Sequence, residues 1–170
     1  PDPIDPTLYG AVVKPDGSKV YIARINYQSV FVIDTATNMM TGQIPIGGAP
    51  IGVAISPDGN RLYVTNNTGN SVVMIDTASD SVVSTIPAGG INPFGVSLSP
   101  DGSRLYVANP TSNQVAVIDT GTNTVVSTVP VGSTPLAFGV FIQPTPTFAG
   151  IPGNKNCHGA SVSALATKYG

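Results

Sequence analysis

An all-β fold built of repeated four-stranded units follows from three observations on this 170-residue chain. One turn is written three times, as Lys14-Pro15-Asp16-Gly17, Ser56-Pro57-Asp58-Gly59 and Ser99-Pro100-Asp101-Gly102, at offsets of 42 and 43 residues. Each copy then continues through the same strand signals: a Tyr-centred run, an apolar run closed by Asp-Thr, and a run ending on proline at Pro45, Pro87 or Pro130. Finally, Val30-Phe31-Val32-Ile33, Val72-Val73-Met74-Ile75 and Val115-Ala116-Val117-Ile118 are apolar at every position. A sheet with one wet face would alternate instead. A period of just over forty residues with four strand signals predicts β-propeller blades, stacked so that their middle strands are buried on both sides. A β-sandwich is the runner-up fold, but it does not predict repetition copy by copy.

The middle copy justifies the elements in order. Residues 52–55 form a first strand that ends at Pro-Asp-Gly. Proline presets φ, aspartate tolerates the next position and glycine supplies the special conformation after it. Residues 61–66 are the second strand and 71–76 the third, separated by Asn67-Thr68-Gly69-Asn70, which is turn chemistry. Thr77-Ala78-Ser79-Asp80 turns again before a fourth strand over 81–87, and Ala88-Gly89-Gly90 leads into the next copy. Asp76 and Thr77 are expected to bond the backbone of their own turn, which accounts for Asp-Thr in every copy. Complete blades are expected at about 8–46, 50–88 and 93–131, with the first strand of a fourth near 136–144. Residues 145–170 form a Pro/Gly-rich linker and a short helix, on which Val162, Leu165, Ala166 and Tyr169 share one face. Ser161 suits its start and Gly170 its end.

Composition narrows the class. Charged residues make up only 9% of the chain, with 19 Gly and 16 Pro, as expected of many short strands joined by tight turns. The 41% apolar content argues against disorder. No basic stripe exists for nucleic acid, and no apolar run is long enough to span a membrane. No signal peptide is expected within the chain, because no basic segment followed by an apolar core begins it. Glutamate is absent, and polar surface comes from Ser, Thr and Asn. That leans toward a secreted or cell-surface protein. Cys157 is the sole thiol, so its readings are a free thiol, a bond to another chain, or a bond to a missing downstream segment.

Catalysis needs groups that break the repeat. Asp16, Asp58 and Asp101, Asp34, Asp76 and Asp119, and Lys19, Arg61 and Arg104 occupy equivalent positions in every copy, as structural residues do. Outside the pattern stand Asp2, Asp5, Lys14, Arg24, Asp80, Lys155, Lys168 and His158. Any Ser-His-Asp or Cys-His arrangement must use His158, the only histidine, whose neighbour Cys157 would diverge from it in extended backbone. Covalent haem lacks its first cysteine, because Asn154 occupies that place. Paired carboxylates for glycoside hydrolysis would rest on turn aspartates, and the spacing of a dedicated calcium loop is absent. No catalytic, metal or cofactor residue is therefore assigned. Asn66-Asn67-Thr68 satisfies the glycosylation pattern at a strand end. Tyr21, Tyr63 and Tyr106 are read as core, with their hydroxyls satisfied.

The repeat resembles the YVTN family of β-propellers, found in archaeal surface-layer proteins and many secreted bacterial proteins, over roughly residues 8–143. Tyr63, Val64, Thr65 and Asn66 are the naming motif verbatim, and Tyr106-Val107-Ala108-Asn109 is a common variant. Tyr21-Ile22-Ala23-Arg24 departs at its last position. The tail resembles C-terminal extensions of bacterial members, which run on to a second cysteine. By that resemblance, Cys157 has lost its partner here. The resemblance implies a non-enzymatic extracellular scaffold acting by self-association or by contact with another cell-surface protein or glycan, with no nucleic-acid partner. The competing class is a metal-assisted hydrolase, which would gather acidic and histidine ligands around a metal at the axis. Propellers typically need four to eight blades to close. Three blades and one strand therefore mean either a fragment of a larger propeller or assembly of copies.

Overall fold

The computed structural model describes residues 8–137. The fourth-blade strand, the C-terminal helix, Cys157 and His158 fall largely or wholly outside these residues. Twelve strands form three four-stranded antiparallel sheets, each made of consecutive strands paired in order. The first blade holds β1–β4 (Leu8–Val13, Lys19–Arg24, Ser29–Asp34, Met39–Pro45). The second holds β5–β8 (Pro50–Ile55, Arg61–Asn66, Ser71–Asp76, Ser81–Pro87). The third holds β9–β12 (Val96–Leu98, Arg104–Asn109, Gln114–Asp119, Thr124–Pro130), with a single 3₁₀ turn at Pro110–Ser112. Three consecutive four-strand meanders stacked in this way are blades of a β-propeller.

Two apolar layers join the blades. Tyr21, Val30, Val32 and Ile44 of the first pack on Leu62, Val64, Val73 and Ile75 of the second. The other face of the second blade presents Tyr63, Val72, Met74 and Ile86 to Leu105, Val107, Ala116 and Ile118 of the third. The third blade repeats the set with a buried cluster of Tyr106, Val115 and Val117. Middle strands β7 and β11 are thus buried on both faces over their apolar runs, as expected. Strand β3 differs: Val30 and Val32 are buried, but Phe31 and Ile33 are only half-buried, because no described blade covers that face.

The outer strands are blunted against pairing. Each pairs with its neighbour through a bulge at the same place, leaving Thr41, Val83 and Val126 out of register. Bulged edges twist away from the flat geometry that recruits another strand.

Candidate functional site

The Pro-Asp-Gly turns of the second and third blades are tied by the same bonds. The first has Lys14 in place of the serine, so it lacks the serine's two bonds and keeps the Gly17 N–H to Lys14 carbonyl bond, its Lys14 Nζ donating to Asp16 Oδ2. Gly59 N–H donates to the Ser56 carbonyl at 2.8 Å, and Ser56 Oγ both donates to Asp58 Oδ1 (2.5 Å) and accepts from Arg61 N–H (2.9 Å). In the third blade, bonds from the Ser99 hydroxyl first, then the Ser103 N–H and hydroxyl, lower the Asp101 carboxyl to about 2. The Asp-Thr pairs divide their work. Asp76 caps its own turn, accepting from Ser79 N–H (2.8 Å) and the Ser79 hydroxyl (2.7 Å), and these bonds hold its carboxyl below the usual range. Thr77 instead donates across to the Gly59 carbonyl at 2.5 Å, so the expectation that both residues serve one turn is corrected. Thr35 and Thr120 do the same with Gly17 and Gly102. A hydroxyl lashing two turns together is what the pair adds.

Both kinds of turn lie at one end of the blades, since they follow the first and third strands of each antiparallel meander. Every described charge except Arg24 sits at or beside these turns. The opposite end is amide-rich, with Arg24 at the end of β2 as its one described charge. There Asn67 Nδ2 donates to the Pro93 carbonyl (3.1 Å), and Asn92 Nδ2 to Asn67 Oδ1 (3.2 Å).

Asp80 breaks the repeat for a structural reason. Lys19 Nζ of the first blade donates to its Oδ2 at 2.6 Å, and the Tyr21 hydroxyl donates to its Oδ1 at 2.8 Å. Lys19 also reaches the Thr77 carbonyl at 3.3 Å. Burial first, then the Asp80 bond and charge, push the Tyr21 hydroxyl well above its ordinary pKa. At the next junction Arg61 Nη1 reaches the matching Thr120 carbonyl at 3.4 Å. Asn123 there takes the place of Asp80, and both have left-handed backbone, at φ 56° and 50°. At both junctions the basic residue that opens the second strand reaches a turn on the next blade, and at the first the tyrosine hydroxyl joins it.

The tetrapeptide Tyr63-Val64-Thr65-Asn66 is built into the same architecture. Tyr63 and Val64 are buried, one on each face of β6. Thr65 Oγ1 accepts from Gly52 N–H and donates to the Phe94 carbonyl, each at 2.7 Å, which stitches the second blade's inner strand to the third blade. Asn66 donates to the Gly47 carbonyl at 2.6 Å, and its Oδ1 accepts from Ala49 N–H (3.2 Å) and Gly69 N–H (3.1 Å). Only 6% exposed and held by these bonds, Asn66 of the sequon is buried, although it stands at a strand end.

Inner strands β1, β5 and β9 line a recess of about 220 Å³ at the axis, walled by Tyr9, Gly10, Ile51, Gly52, Phe94 and Gly95 among others. Tyr9 and Phe94 meet edge to face, with centroids 6.2 Å apart. A Cβ on Gly10 would lie 2.6 Å from the Ile51 carbonyl oxygen, and one on Gly52 would lie 2.4 Å from that of Phe94. Gly95 is equally tight, 2.1 Å from the Ala137 oxygen. Backbone-to-backbone contact at the axis demands glycine at these three places. Sequence reasoning missed this triad, although its offsets of 42 and 43 were legible. The lining supplies no carboxylate, imidazole or thiol, so these residues do not fit a metal. Among the described residues no group of three or more His, Cys, Asp or Glu could hold one, and no helix is long and apolar enough to cross a membrane.

The class is therefore a β-propeller with structurally committed repeat residues. Residues 12–131 match the family model described as Lactonase, 7-bladed beta-propeller, and the chain belongs to that family. Among solved structures, it is similar to Kuenenia stuttgartiensis hydrazine synthase, at 32% identity and a TM-score of 0.71 over 77% of this chain and 38% of that one. A functionally unknown protein from Desulfotomaculum acetoxidans aligns at 22% identity and a TM-score of 0.67, over 75% of this chain and 44% of that one. The WD40 repeats of RRP9 align at 20% identity and a TM-score of 0.67, over 74% and 39%. These last two show the fold alone. The chain spans less than half the length of each of these structures. No curated protein sequence matches it.

Proposed function

We propose that the chain is a non-enzymatic, extracellular YVTN-type propeller unit that acts through its surfaces, holding another protein, a glycan or further copies. One observation carries the reading: the described polar groups of the repeat are engaged in turns and blade junctions, while the axial recess is apolar. Rigid repeated strands that present loops at two chemically different ends suit contact rather than turnover. The Asn-rich end, with Arg24 as its one described charge, is the surface to examine first.

A second reading is supported by the family description, which points to lactone hydrolysis. It requires catalytic groups from outside residues 8–137, brought to the axis by further blades or by another copy.

The purified natural polypeptide decides between them. Assayed for bound metal and for hydrolysis of simple lactones, a scaffold shows neither above a buffer control. Immobilised, it retains isolated cell-envelope protein or glycan, and the Asp80→Asn variant does so equally well. Stoichiometric metal together with lactone hydrolysis would overturn the proposal.

A further inference from the structure

We propose that the junction between the second and third blades binds two buried water molecules, one at each end, where the equivalent places between the first and second blades are closed by protein groups. Two amide oxygens carry the inference. Asn109 Oδ1 and Asn123 Oδ1 are buried and accept no hydrogen bond from the described residues. A buried polar oxygen is costly unless a donor meets it, and an ordered water is the usual donor where the chain supplies none.

The amide-rich end shows how the first site arises. In the second blade Asn66 Oδ1 accepts from Ala49 N–H and Gly69 N–H, so the connection from β4 to β5 seals it. The connection from β8 to β9 is one residue longer: Ile91-Asn92 stands between Gly90 and Pro93, where Ala49 alone stands between Gly48 and Pro50. Both N–H groups of that pair go elsewhere. Ile91 N–H donates to Ser112 Oγ at 2.9 Å, and Asn92 N–H to Asn70 Oδ1 at 2.8 Å. The second donor is lost as well, because the Asn109 side chain makes no capping bond to the 3₁₀ turn Pro110–Ser112. Reversing the amide does not cure this. Asn109 Nδ2 donates to the Ala88 carbonyl at 3.0 Å and the Val107 carbonyl at 3.3 Å, and an oxygen turned that way would face two acceptors. Asn109 itself is fully buried, so surface water does not reach it freely.

At the charged end the cause is a lost charge. Asp80 Oδ1 accepts the Tyr21 hydroxyl at 2.8 Å, and its Oδ2 accepts Lys19 Nζ at 2.6 Å. Asn123 holds the same place on the third blade with the same left-handed backbone, but the matching Arg61 and Tyr63 give its Oδ1 no such bond. Arg61 Nη1 reaches the Thr120 carbonyl instead, at 3.4 Å. A neutral amide does not draw the basic residue in as a carboxylate does, and a water between Asn123 Oδ1 and the Tyr63 hydroxyl takes the place of the direct contact. Water suits both sites better than a metal ion. Each offers one neutral amide oxygen, whereas a hard cation gathers six or more oxygen ligands. Among the described residues no acidic or imidazole cluster adds any, and Arg61 stands beside the second site. The two sites hold whether the protein is a scaffold or an enzyme.

A crystal structure of the natural polypeptide, refined to a resolution that shows ordered water, tests both. A water is expected about 2.7–3.2 Å from Asn109 Oδ1 and another at the same range from Asn123 Oδ1, with none on Asn66 Oδ1. Two variants separate the causes. Deleting Ile91, which restores the shorter connection, should replace the water at Asn109 by a direct backbone N–H and leave the one at Asn123. Asn123→Asp should draw the Tyr63 hydroxyl directly onto the carboxylate and leave the water at Asn109. A protein donor on either oxygen in the natural polypeptide would overturn that site, and so would a metal ion at shorter range with several oxygen ligands. Water on Asn66 Oδ1 as well would overturn the contrast between the junctions. Should the deletion fail to fold, water-to-amide cross-relaxation in the ¹⁵N-labelled natural polypeptide reads the same contrast. Held water should appear at the side-chain amide of Asn109 and not at that of Asn66, and equal signals or none at both would overturn the proposal.

Discussion

Replacing Asp80 by Asn removes one charge from a blade junction while leaving the backbone content, because asparagine serves at the equivalent Asn123 with the same left-handed φ. Two bonds are affected. The Lys19 pair, 2.6 Å long with both side chains just under a third exposed, is worth about 0.2–1 kcal/mol. The Tyr21 hydroxyl, whose ring is fully buried, loses a charged acceptor at 2.8 Å but keeps an amide oxygen. Of the ~1.5–3 kcal/mol that a bond to a charged partner contributes, roughly half should survive. Asp80→Asn should therefore cost about 1–2 kcal/mol. Asp80→Ala should cost about 3 kcal/mol, since it leaves the hydroxyl only the Thr77 carbonyl at 3.4 Å and strains a left-handed residue. Urea unfolding of the single and double variants with Tyr21→Phe gives the coupling directly. We expect about 1.5 kcal/mol between Tyr21 and Asp80. Additivity within ~0.3 kcal/mol would refute the junction as described.

Other consequences follow from the same geometry. Gly52→Ala should cost at least about 3 kcal/mol, because its Cβ meets the Phe94 carbonyl and cannot yield. Gly17→Ala, with open space but φ +74°, should cost only about 1 kcal/mol, and equal losses in urea would contradict the axial contact. Thr65→Val should cost about 1–2 kcal/mol through the bonds to Gly52 and Phe94, whereas Thr65→Ser should cost less than half of that. Tyr21, Tyr63 and Tyr106 all have raised pKa values, chiefly from burial, so the folded state keeps protons that the unfolded chain releases. Stability from this source is complete below about pH 10 and declines as the pH rises further. Absorbance at 295 nm should show these tyrosines ionising only together with unfolding, and reversible ionisation in folded protein would count against their burial. The lowered Asp101 acts in the opposite sense. Its contribution is present above about pH 4 and lost as pH falls toward 2, so Asp101→Asn should flatten the acid limb of a stability–pH profile.

The blades were legible because each turn uses residues with local reasons to be there. Pro57, Asp58 and Gly59 write their own conformation, and Val72 to Ile75 show burial on both faces as an unbroken apolar run. Contacts between blades were harder to read, since they depend on side chains meeting across sixty residues. Asp80 looked like a symmetry-breaking group available for chemistry, and only the packed sheets reveal Lys19 and Tyr21 against it. Asn66 shows the converse: its sequon is local, but its burial comes from the Gly47–Ala49 connection folding over it. The glycines at 10, 52 and 95 repeat as plainly as the turns. Their meaning lies in a neighbouring backbone that one strand cannot disclose.

A density map of the natural polypeptide tests the central claim most directly, namely that the repeat residues build the junctions between blades. The account predicts Lys19 and Tyr21 of the first blade on the Asp80 carboxylate of the second, and the Thr65 hydroxyl bridging the Gly52 N–H and the Phe94 carbonyl. Side chains at these two junctions turned to solvent instead of to each other would contradict it.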